Sequence, residues 1–193
     1  IRGIIDDIQE QDSEAVIVMV TNPVDVLTYV ALEHSGWPRE RILGSGTVLD
    51  SARFRYFISR TLGVGVHNVH AYILGEHGDS EFAAWSLTNI GGVPIDYYCQ
   101  TNYDGDDWPR RRKEIEEQVR NSAYHIIGYK GSTNFAVGLA LNRIVGSILL
   151  NQASVLTVST RLQGEYGYED VCISVPCLID DRDRDHLWIV IEA

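Results

Sequence analysis

Hydrophobic positions in the first part of the chain fall into short continuous runs, separated by stretches with helical spacing. Residues 15–20 form a continuous apolar run of the kind found in a strand covered on both faces, residues 41–44 predict a brief strand, and residues 69–74 predict a buried strand. Residues 23–35 and 49–62 lie between these runs, and each stretch ends before a glycine, which is typical of a helix. The order strand, helix, strand, helix, strand, with short connections, predicts parallel strands joined by right-handed crossovers.

The second part of the chain has a different pattern. Residues 108–127 and 131–151 have apolar positions at helical spacing and predict two long helices. Three later segments predict antiparallel strands, namely residues 154–160, 171–175 and 187–191. The whole pattern predicts the back part of a parallel α/β domain joined to an α+β domain, with the boundary near residues 78–82.

The chain opens inside an amphipathic pattern, because Ile1, Ile4, Ile5 and Ile8 already have helical spacing. It has no initiator methionine, and it ends on the strand-like segment 187–191 without a closing element. We therefore expect the chain to be a fragment of a longer protein.

Three turns follow predicted strands, at the edge where parallel α/β sheets bind ligands. They are residues 21–23, 45–47 and 75–79. In the third turn His77 stands between two glycines, which leave room for a ligand, and an imidazole can move a proton near neutral pH. The residues alone leave two readings open: an acid/base histidine, or a histidine that only caps a turn.

Asp50 and Arg53 are three residues apart in a predicted helix, and therefore lie on one face near its first turn. One interpretation is an ion pair within the helix. The other is that Asp50 hydrogen-bonds the His77 imidazole, while Arg53 binds a substrate carboxylate with its two-pronged guanidinium. We expect the second arrangement to be possible because Leu43 and Leu74 would lie in neighbouring strands of one sheet.

Composition narrows the classes of function. The 193 residues carry a formal net charge of −11, which argues against nucleic acid or an anionic membrane as a partner, because both select for basic surfaces. The longest apolar run is far below the roughly 18 residues of a membrane span. Cys99, Cys172 and Cys177 form no CxxC pair, which indicates a reducing, cytoplasmic compartment and thiols packed in the core.

Motifs for several common sites are absent. The chain has no HExxH, no GxxxxGK loop and no GxSxG elbow, and we expect no bound metal. The segment Gly63-Val64-Gly65 lacks the third glycine and the preceding strand of a dinucleotide fingerprint. By themselves, the residues predict an acid/base site on an α/β sheet and no more specific activity.

Three ordered motifs carry a resemblance to a known family: residues 20–25 (VTNPVD), 46–53 (GTVLDSAR) and 75–80 (GEHGDS). In this order and at this spacing they resemble the L-lactate dehydrogenase branch of the lactate/malate dehydrogenase family. Residues 89–92 and 130–133 extend the similarity, so that it covers nearly the whole chain.

The resemblance implies a fold and an activity. Residues 1–79 would be the remainder of a Rossmann-type NAD-binding domain, and residues 80–193 a substrate domain truncated at its C-terminus. The implied reaction interconverts pyruvate and L-lactate by transfer of a hydride between the substrate and NAD. The nearest alternative is a malate or other L-2-hydroxy-acid dehydrogenase. An alternative of another class is an inactive fragment that retains only a substrate-domain or effector-binding surface.

The resemblance also implies roles for matching positions. His77 would donate and accept the proton, Asp50 would orient it, and Arg53 would clamp the substrate carboxylate. The residues at the nicotinamide end of the cofactor would be Val20, Thr21, Asn22 and Ser45. The substrate contacts would be Asn22, Arg53 and Thr133.

Bacterial members of the family often bind fructose 1,6-bisphosphate between subunits, and the matching positions here are Arg55 and His70. The resemblance therefore implies an allosteric homotetramer, and the alternative is that both are ordinary surface residues. In this family the glycine-rich phosphate loop, the acidic residue for the ribose and the mobile loop with a carbonyl-polarising arginine all come ahead of the position of Ile1.

Overall fold

The computed structural model describes residues 1–11, 14–103, 107–130, 134–180 and 188–189. The first elements are α1 (Arg2–Glu10), β1 (Ile17–Met19), α2 (Val24–Ser35), β2 (Ile42–Gly44), α3 (Val48–Leu62), β3 (Val69–His70), β4 (Ile73–Leu74) and β5 (Phe82–Ala83). The later elements are β6 (Asn89–Ile90), β7 (Val93–Pro94), α4 (Ile95–Asn102), α5 (Trp108–Lys130), α6 (Asn134–Leu149), β8 (Ser154–Gln163), β9 (Glu169–Ile179) and β10 (Trp188–Ile189).

A mixed sheet with the strand order β1-β2-β8-β9-β10 organises the molecule. β1 and β2 are parallel, with Ile17 beside Ile42, as the sequence predicts. β8 joins β2 in antiparallel orientation, where Gly44 faces Ser159. β8 and β9 form a long antiparallel hairpin, which confirms the antiparallel strands expected in this part of the chain. The fold class is therefore α/β, with a parallel strand pair followed by antiparallel strands.

The prediction of a third parallel strand is wrong. Residues 69–74 form two short strands instead, β3 and β4, which pair antiparallel with β6 and β5 outside the main sheet. Every second residue from Val69 to Ile73 is buried, which is the pattern of a strand covered on one face only. The strands that pair with β2 are β1 and β8, so Leu43 and Leu74 do not lie in neighbouring strands.

Helix α3 is held between two parts of the core. On one side Phe54 packs edge-to-face on Trp85, with ring centroids 4.8 Å apart, in a cluster that includes residues of α5. On the other side Val48 belongs to a cluster with Leu156 and Val158 of β8. Because α3 is fixed on both sides, the side chains of its first turn are fixed as well.

The cysteines are part of the core. Cys99, Cys172 and Cys177 are all buried and free, which confirms that they are packing groups. Burial raises the pKa of the Cys99 thiol to about 11 and that of Cys172 to about 12, so neither is a thiolate near neutral pH. Within the described part of the chain, no helix combines the length and the hydropathy needed to cross a bilayer.

Candidate active site

The turn that carries His77 is attached to the main sheet by its own backbone. Gly75 follows β4 with a φ of +94° and forms a bridge with Ser174 of β9. The Gly75 N–H donates to the Ser174 carbonyl at 3.0 Å, and the Ser174 N–H donates to the Gly75 carbonyl at 2.8 Å. A positive φ is readily available to glycine, so this residue lets the chain turn out of β4 and reach β9.

His77 and Asp50 form the centre of the site. His77 Nδ1 lies 2.7 Å from Asp50 Oδ2, and Asp50 is 3% exposed in the first turn of α3. The hydrogen bond to Asp50 raises the pKa of His77 and outweighs the opposing effect of its burial. The arrangement fixes the ring so that its Nε2 is the nitrogen left for a ligand.

The start of α3 is tied to β4, which explains why Asp50 reaches the turn although the strands are arranged differently from the prediction. Thr47 Oγ1 donates to the Ile73 carbonyl at 2.5 Å, and Ser51 Oγ accepts the Ile73 N–H at 2.9 Å. Both hydroxyl groups are buried, so the contacts are shielded from water.

Arg53 makes the predicted ion pair and still has an unused nitrogen. Its Nη1 donates to Asp50 Oδ1 at 2.9 Å, so the ion pair within the helix and the Asp50–His77 contact are both present, and the binding of a carboxylate by Arg53 stays a prediction. Its Nη2 is buried, and no acceptor among the described residues contacts it. Arg53 also lines a cavity of about 930 Å³ between α3, α5 and α6. A guanidinium with one unused nitrogen beside a cavity can bind a carboxylate.

Asp25 is a residue of the site that sequence reasoning missed. Its Oδ2 accepts the backbone N–H of His77 at 2.8 Å, and Asp25 is 8% exposed in the first turn of α2. Burial raises the pKa of Asp25. The only signal in the sequence is its position at the end of the motif that contains Asn22, three residues before it.

Glu81 is the second residue that was missed. It is 7% exposed, and one carboxylate oxygen, one Asp50 oxygen and one His77 ring nitrogen all lie within 4.8 Å of one another. Burial raises the pKa of Glu81 to about 7, and the charge of Asp50 adds to this effect. Such a trio of donors could hold a cation, but His77 and Arg53 already engage both Asp50 oxygens. The contacts therefore favour a proton-transfer pair over a metal centre.

The residues assigned to the cofactor lie at the carboxyl ends of β1 and β2. The Ser45 N–H donates to the Met19 carbonyl at 2.8 Å, which places the two strand ends side by side. Thr21 and Asn22 are exposed there, and Val20 and Ser45 are half-buried. Polar, accessible side chains at adjacent parallel strand ends fit a nucleotide cofactor. Thr133, the remaining substrate position, lies outside the described residues.

Arg55 and His70 line one cavity of about 520 Å³, away from the His77 pair, together with His67 and Arg143. Arg55 Nη1 donates to the Ala71 carbonyl at 3.1 Å. No carboxylate in the described part of the chain forms an ion pair with Arg55, and burial lowers its pKa. The cavity therefore presents a half-buried positive charge that lacks an anionic partner among the described residues.

Fold and site together define an α/β protein with an acid/base centre that can exchange a proton with a ligand carrying a carboxylate. Residues 1–44 match the family described as lactate/malate dehydrogenase, NAD binding domain. Residues 47–190 match the lactate/malate dehydrogenase alpha/beta C-terminal domain. The chain belongs to the lactate/malate dehydrogenase family, which confirms the resemblance carried by the three motifs.

Relatives with sequence similarity span most of the chain. An L-lactate dehydrogenase of Treponema denticola is 58% identical over 179 residues, which are 93% of this chain and 57% of that protein. An L-lactate dehydrogenase of Acetivibrio thermocellus is 51% identical over 92% of this chain and 56% of its own length. The chain thus spans a little over half the length of these relatives.

Solved structures have the same fold. The ligand-bound crystal structure of the minor L-lactate dehydrogenase from Enterococcus mundtii has a TM-score of 0.91 at 41% identity, and the match covers 100% of this chain and 60% of that one. An L-lactate dehydrogenase from Clostridium thermocellum has a TM-score of 0.86 at 40% identity, with coverage of 100% and 62%. The division between residues 79 and 80 stays a prediction.

Proposed function

We propose that the complete protein is an NAD-dependent oxidoreductase that interconverts pyruvate and L-lactate. The observation that carries the proposal is the 2.7 Å contact between His77 Nδ1 and Asp50 Oδ2, beside the guanidinium of Arg53. Support also comes from relatives that bear the name L-lactate dehydrogenase. The free thiols suit a reducing compartment, and a cytoplasmic location is part of the proposal.

The residues of this chain have separate parts in the proposed reaction. Arg53 holds the substrate carboxylate through the nitrogen that Asp50 does not engage. NADH, when bound, supplies a hydride to the carbonyl carbon. Protonated His77 gives its Nε2 proton to the carbonyl oxygen, while its Nδ1–H remains hydrogen-bonded to Asp50. In the reverse direction, neutral His77 accepts the hydroxyl proton of lactate.

Asp50 makes the protonated form of His77 available near neutral pH. The raised pKa of His77 keeps more of the imidazole protonated than an exposed histidine would be at the same pH. Val20, Thr21, Asn22 and Ser45 would hold the nicotinamide end of the cofactor. Asn22 and Thr133 would complete the contacts to the substrate.

The substitution His77→Gln in the complete protein tests this assignment. Pyruvate reduction should fall by about 10²- to 10⁴-fold, because general acid catalysis is lost while the substrate contacts remain. The rate is followed through the oxidation of NADH. His34→Gln is the matched control, since His34 pairs with Asp6 on the surface between α1 and α2.

Unchanged pyruvate reduction in His77→Gln would refute the assignment of the acid/base group. The same assay with oxaloacetate and bulkier 2-oxo acids separates lactate from malate and other dehydrogenases. Preferred turnover of oxaloacetate would replace pyruvate as the proposed substrate.

We further propose that Arg55 and His70 bind a phosphorylated activator, fructose 1,6-bisphosphate, in a homotetramer. The support is the half-buried charge of Arg55 in a cavity shared with His70 and Arg143. Exposed apolar side chains on α6, with Phe135 85% and Leu139 72% exposed, support a partner subunit on that helix.

Combined replacement of Arg55 and His70 by glutamine tests the effector site. The ratio of activities with and without fructose 1,6-bisphosphate should fall to one, because the phosphate groups lose their cationic partners. Sedimentation of the complete protein should give the mass of four chains. Arg60→Gln, an exposed arginine of the same helix, is the control. Full activation of the double variant would eliminate this effector site.

A further inference from the structure

The carboxylate of Glu81 has no assigned role, yet it is buried beside the acid/base histidine. The Glu81 N–H donates to the Gly78 carbonyl at 3.2 Å, which closes the turn around His77. The next residue begins β5, where Phe82 pairs with Leu74 of β4 and is exposed. Since side chains alternate along an extended segment, Glu81 faces the inside of the turn, where His77 lies.

Asp50 is hydrogen-bonded to two cationic groups, whereas the cations near Glu81 act on its charge without a hydrogen bond among the described residues. Asp50 accepts from Arg53 through Oδ1 and from His77 through Oδ2. Within the described residues, no side chain donates a hydrogen bond to the Glu81 carboxylate, which interacts with its neighbours only through space. The charged groups that act on His77 and Glu81 come from α2, α3 and α5, and they are Asp25, Asp50, Arg53 and Arg120.

We propose that Glu81 is a positioning residue for the acid/base step: its negative charge, added to that of Asp50, keeps His77 protonated around neutral pH. Arg53 neutralises part of the Asp50 charge, so Asp50 alone stabilises the imidazolium less than an unshared carboxylate would. The carboxylate of Glu81 lies within 4.8 Å of the ring and supplies the missing charge.

The two groups then titrate as a coupled pair. Burial and the Asp50 charge bring the pKa of Glu81 to about 7, which is the range in which an imidazole also titrates. A proton on His77 favours the Glu81 anion, and the Glu81 anion favours the proton on His77. The proton release of His77 is therefore spread over a wider pH range than that of an isolated group.

Modification by diethyl pyrocarbonate measures the titration of His77 without any enzyme assay, because only the neutral imidazole reacts. His77 is accessible to the reagent, since its side chain is 27% exposed. The rate at His77 is followed by peptide mass spectrometry in the complete protein, from about pH 5.5 to about pH 8.5. The wild-type curve should be broader than a curve for a single proton.

In Glu81→Gln, the midpoint should move to lower pH, with roughly threefold to tenfold faster modification of His77 at neutral pH. Glu81→Asp keeps a carboxylate and should move the midpoint less. Glu76→Gln is the matched control, because Glu76 is an exposed carboxylate of the same turn that accepts from Ser80. Its curve should coincide with the wild-type curve.

A single-proton curve in the wild-type protein, or an unchanged midpoint in Glu81→Gln, would overturn the proposal. A second test is kinetic and depends on the proposed function. The KM for pyruvate in Glu81→Gln should begin to rise at a lower pH than in the wild type. If the protein does not reduce pyruvate, the modification curves still decide the role of Glu81, so the two failures are distinguishable.

Discussion

At the scale of single residues, His77 lies close to three carboxylates. Asp50 binds the ring nitrogen, Asp25 binds the backbone N–H, and Glu81 lies within 4.8 Å of the ring. These side chains come from α3, α2 and the end of the turn itself. Backbone position, ring orientation and protonation of one imidazole therefore depend on different residues, which can be altered separately.

Asp25→Ala should destabilise the protein and slow pyruvate reduction together. The substitution leaves the partly buried N–H of His77 without its acceptor, and such a loss costs about 1 to 3 kcal/mol. Urea denaturation measures the free energy of unfolding, and NADH oxidation gives the rate. Asp25→Asn keeps an oxygen acceptor and should recover most of the stability. Equal unfolding free energies for the alanine and asparagine variants would contradict the role given to this hydrogen bond.

The sequence identifies only part of the site at this scale. The spacing of Asp50 and Arg53 and the glycines around His77 are local features, so they are visible without a structure. Asp25 and Glu81 carry no such signal, because their roles depend on where the turn folds back against α2 and α3. The buried state of a carboxylate cannot be deduced from its neighbours in sequence.

At the scale of secondary structure, the close contact between α3 and the β8–β9 hairpin determines the site. Gly46 precedes α3 with a φ of +50°, and a Cβ placed on it would lie 2.6 Å from the Ser159 backbone nitrogen. Strand β8 therefore approaches the turn as closely as backbone atoms permit. A side chain at this position would push the start of α3, and Asp50 with it, away from His77.

Gly46→Ala should lower the free energy of unfolding by about 3 kcal/mol or more, since strained backbone and overpacking act together. Gly36→Ala is the control: Gly36 also has a positive φ, of +64°, but nothing lies within 4 Å of its added Cβ. That variant should cost only about 1 to 2 kcal/mol, from backbone strain alone. Urea denaturation of both variants makes the comparison. Similar losses in the two variants would mean that the approach of β8 is looser than the structure indicates.

The positions of the helices and strands along the chain were easier to predict than the pairing of the strands in the sheet. The helices α2 and α3 and the strands β8 and β9 follow from hydrophobic spacing and from the glycines that end the helices. The strand that pairs with β2 could not be predicted from these patterns, because Gly44 pairs with Ser159, a residue far along the chain. Short connections favour pairing of consecutive strands, but here strand β8 of the β8–β9 hairpin pairs with β2 instead.

At the scale of the whole molecule, the chain joins residues 1–44, which match the family's NAD binding domain, to residues 47–190, which match its C-terminal domain. The main sheet crosses this division, since β2 belongs to the first match and β8 to the second. Residues that would face the cofactor and residues that would face the substrate are therefore held by one hydrogen-bonded sheet.

The bridge between Gly75 and Ser174 affects when the site can form during synthesis. The two residues are about a hundred positions apart, and this bridge adds the late strand β9 to the contacts that α2 and α3 make with the turn. On a ribosome the turn emerges well before β9, so a nascent chain that ends at α6 has the acid/base histidine and its contacts with α2 and α3 but lacks the bridge to the sheet. Contacts between distant residues also slow folding. We therefore expect catalytic competence to be among the last properties that this polypeptide acquires.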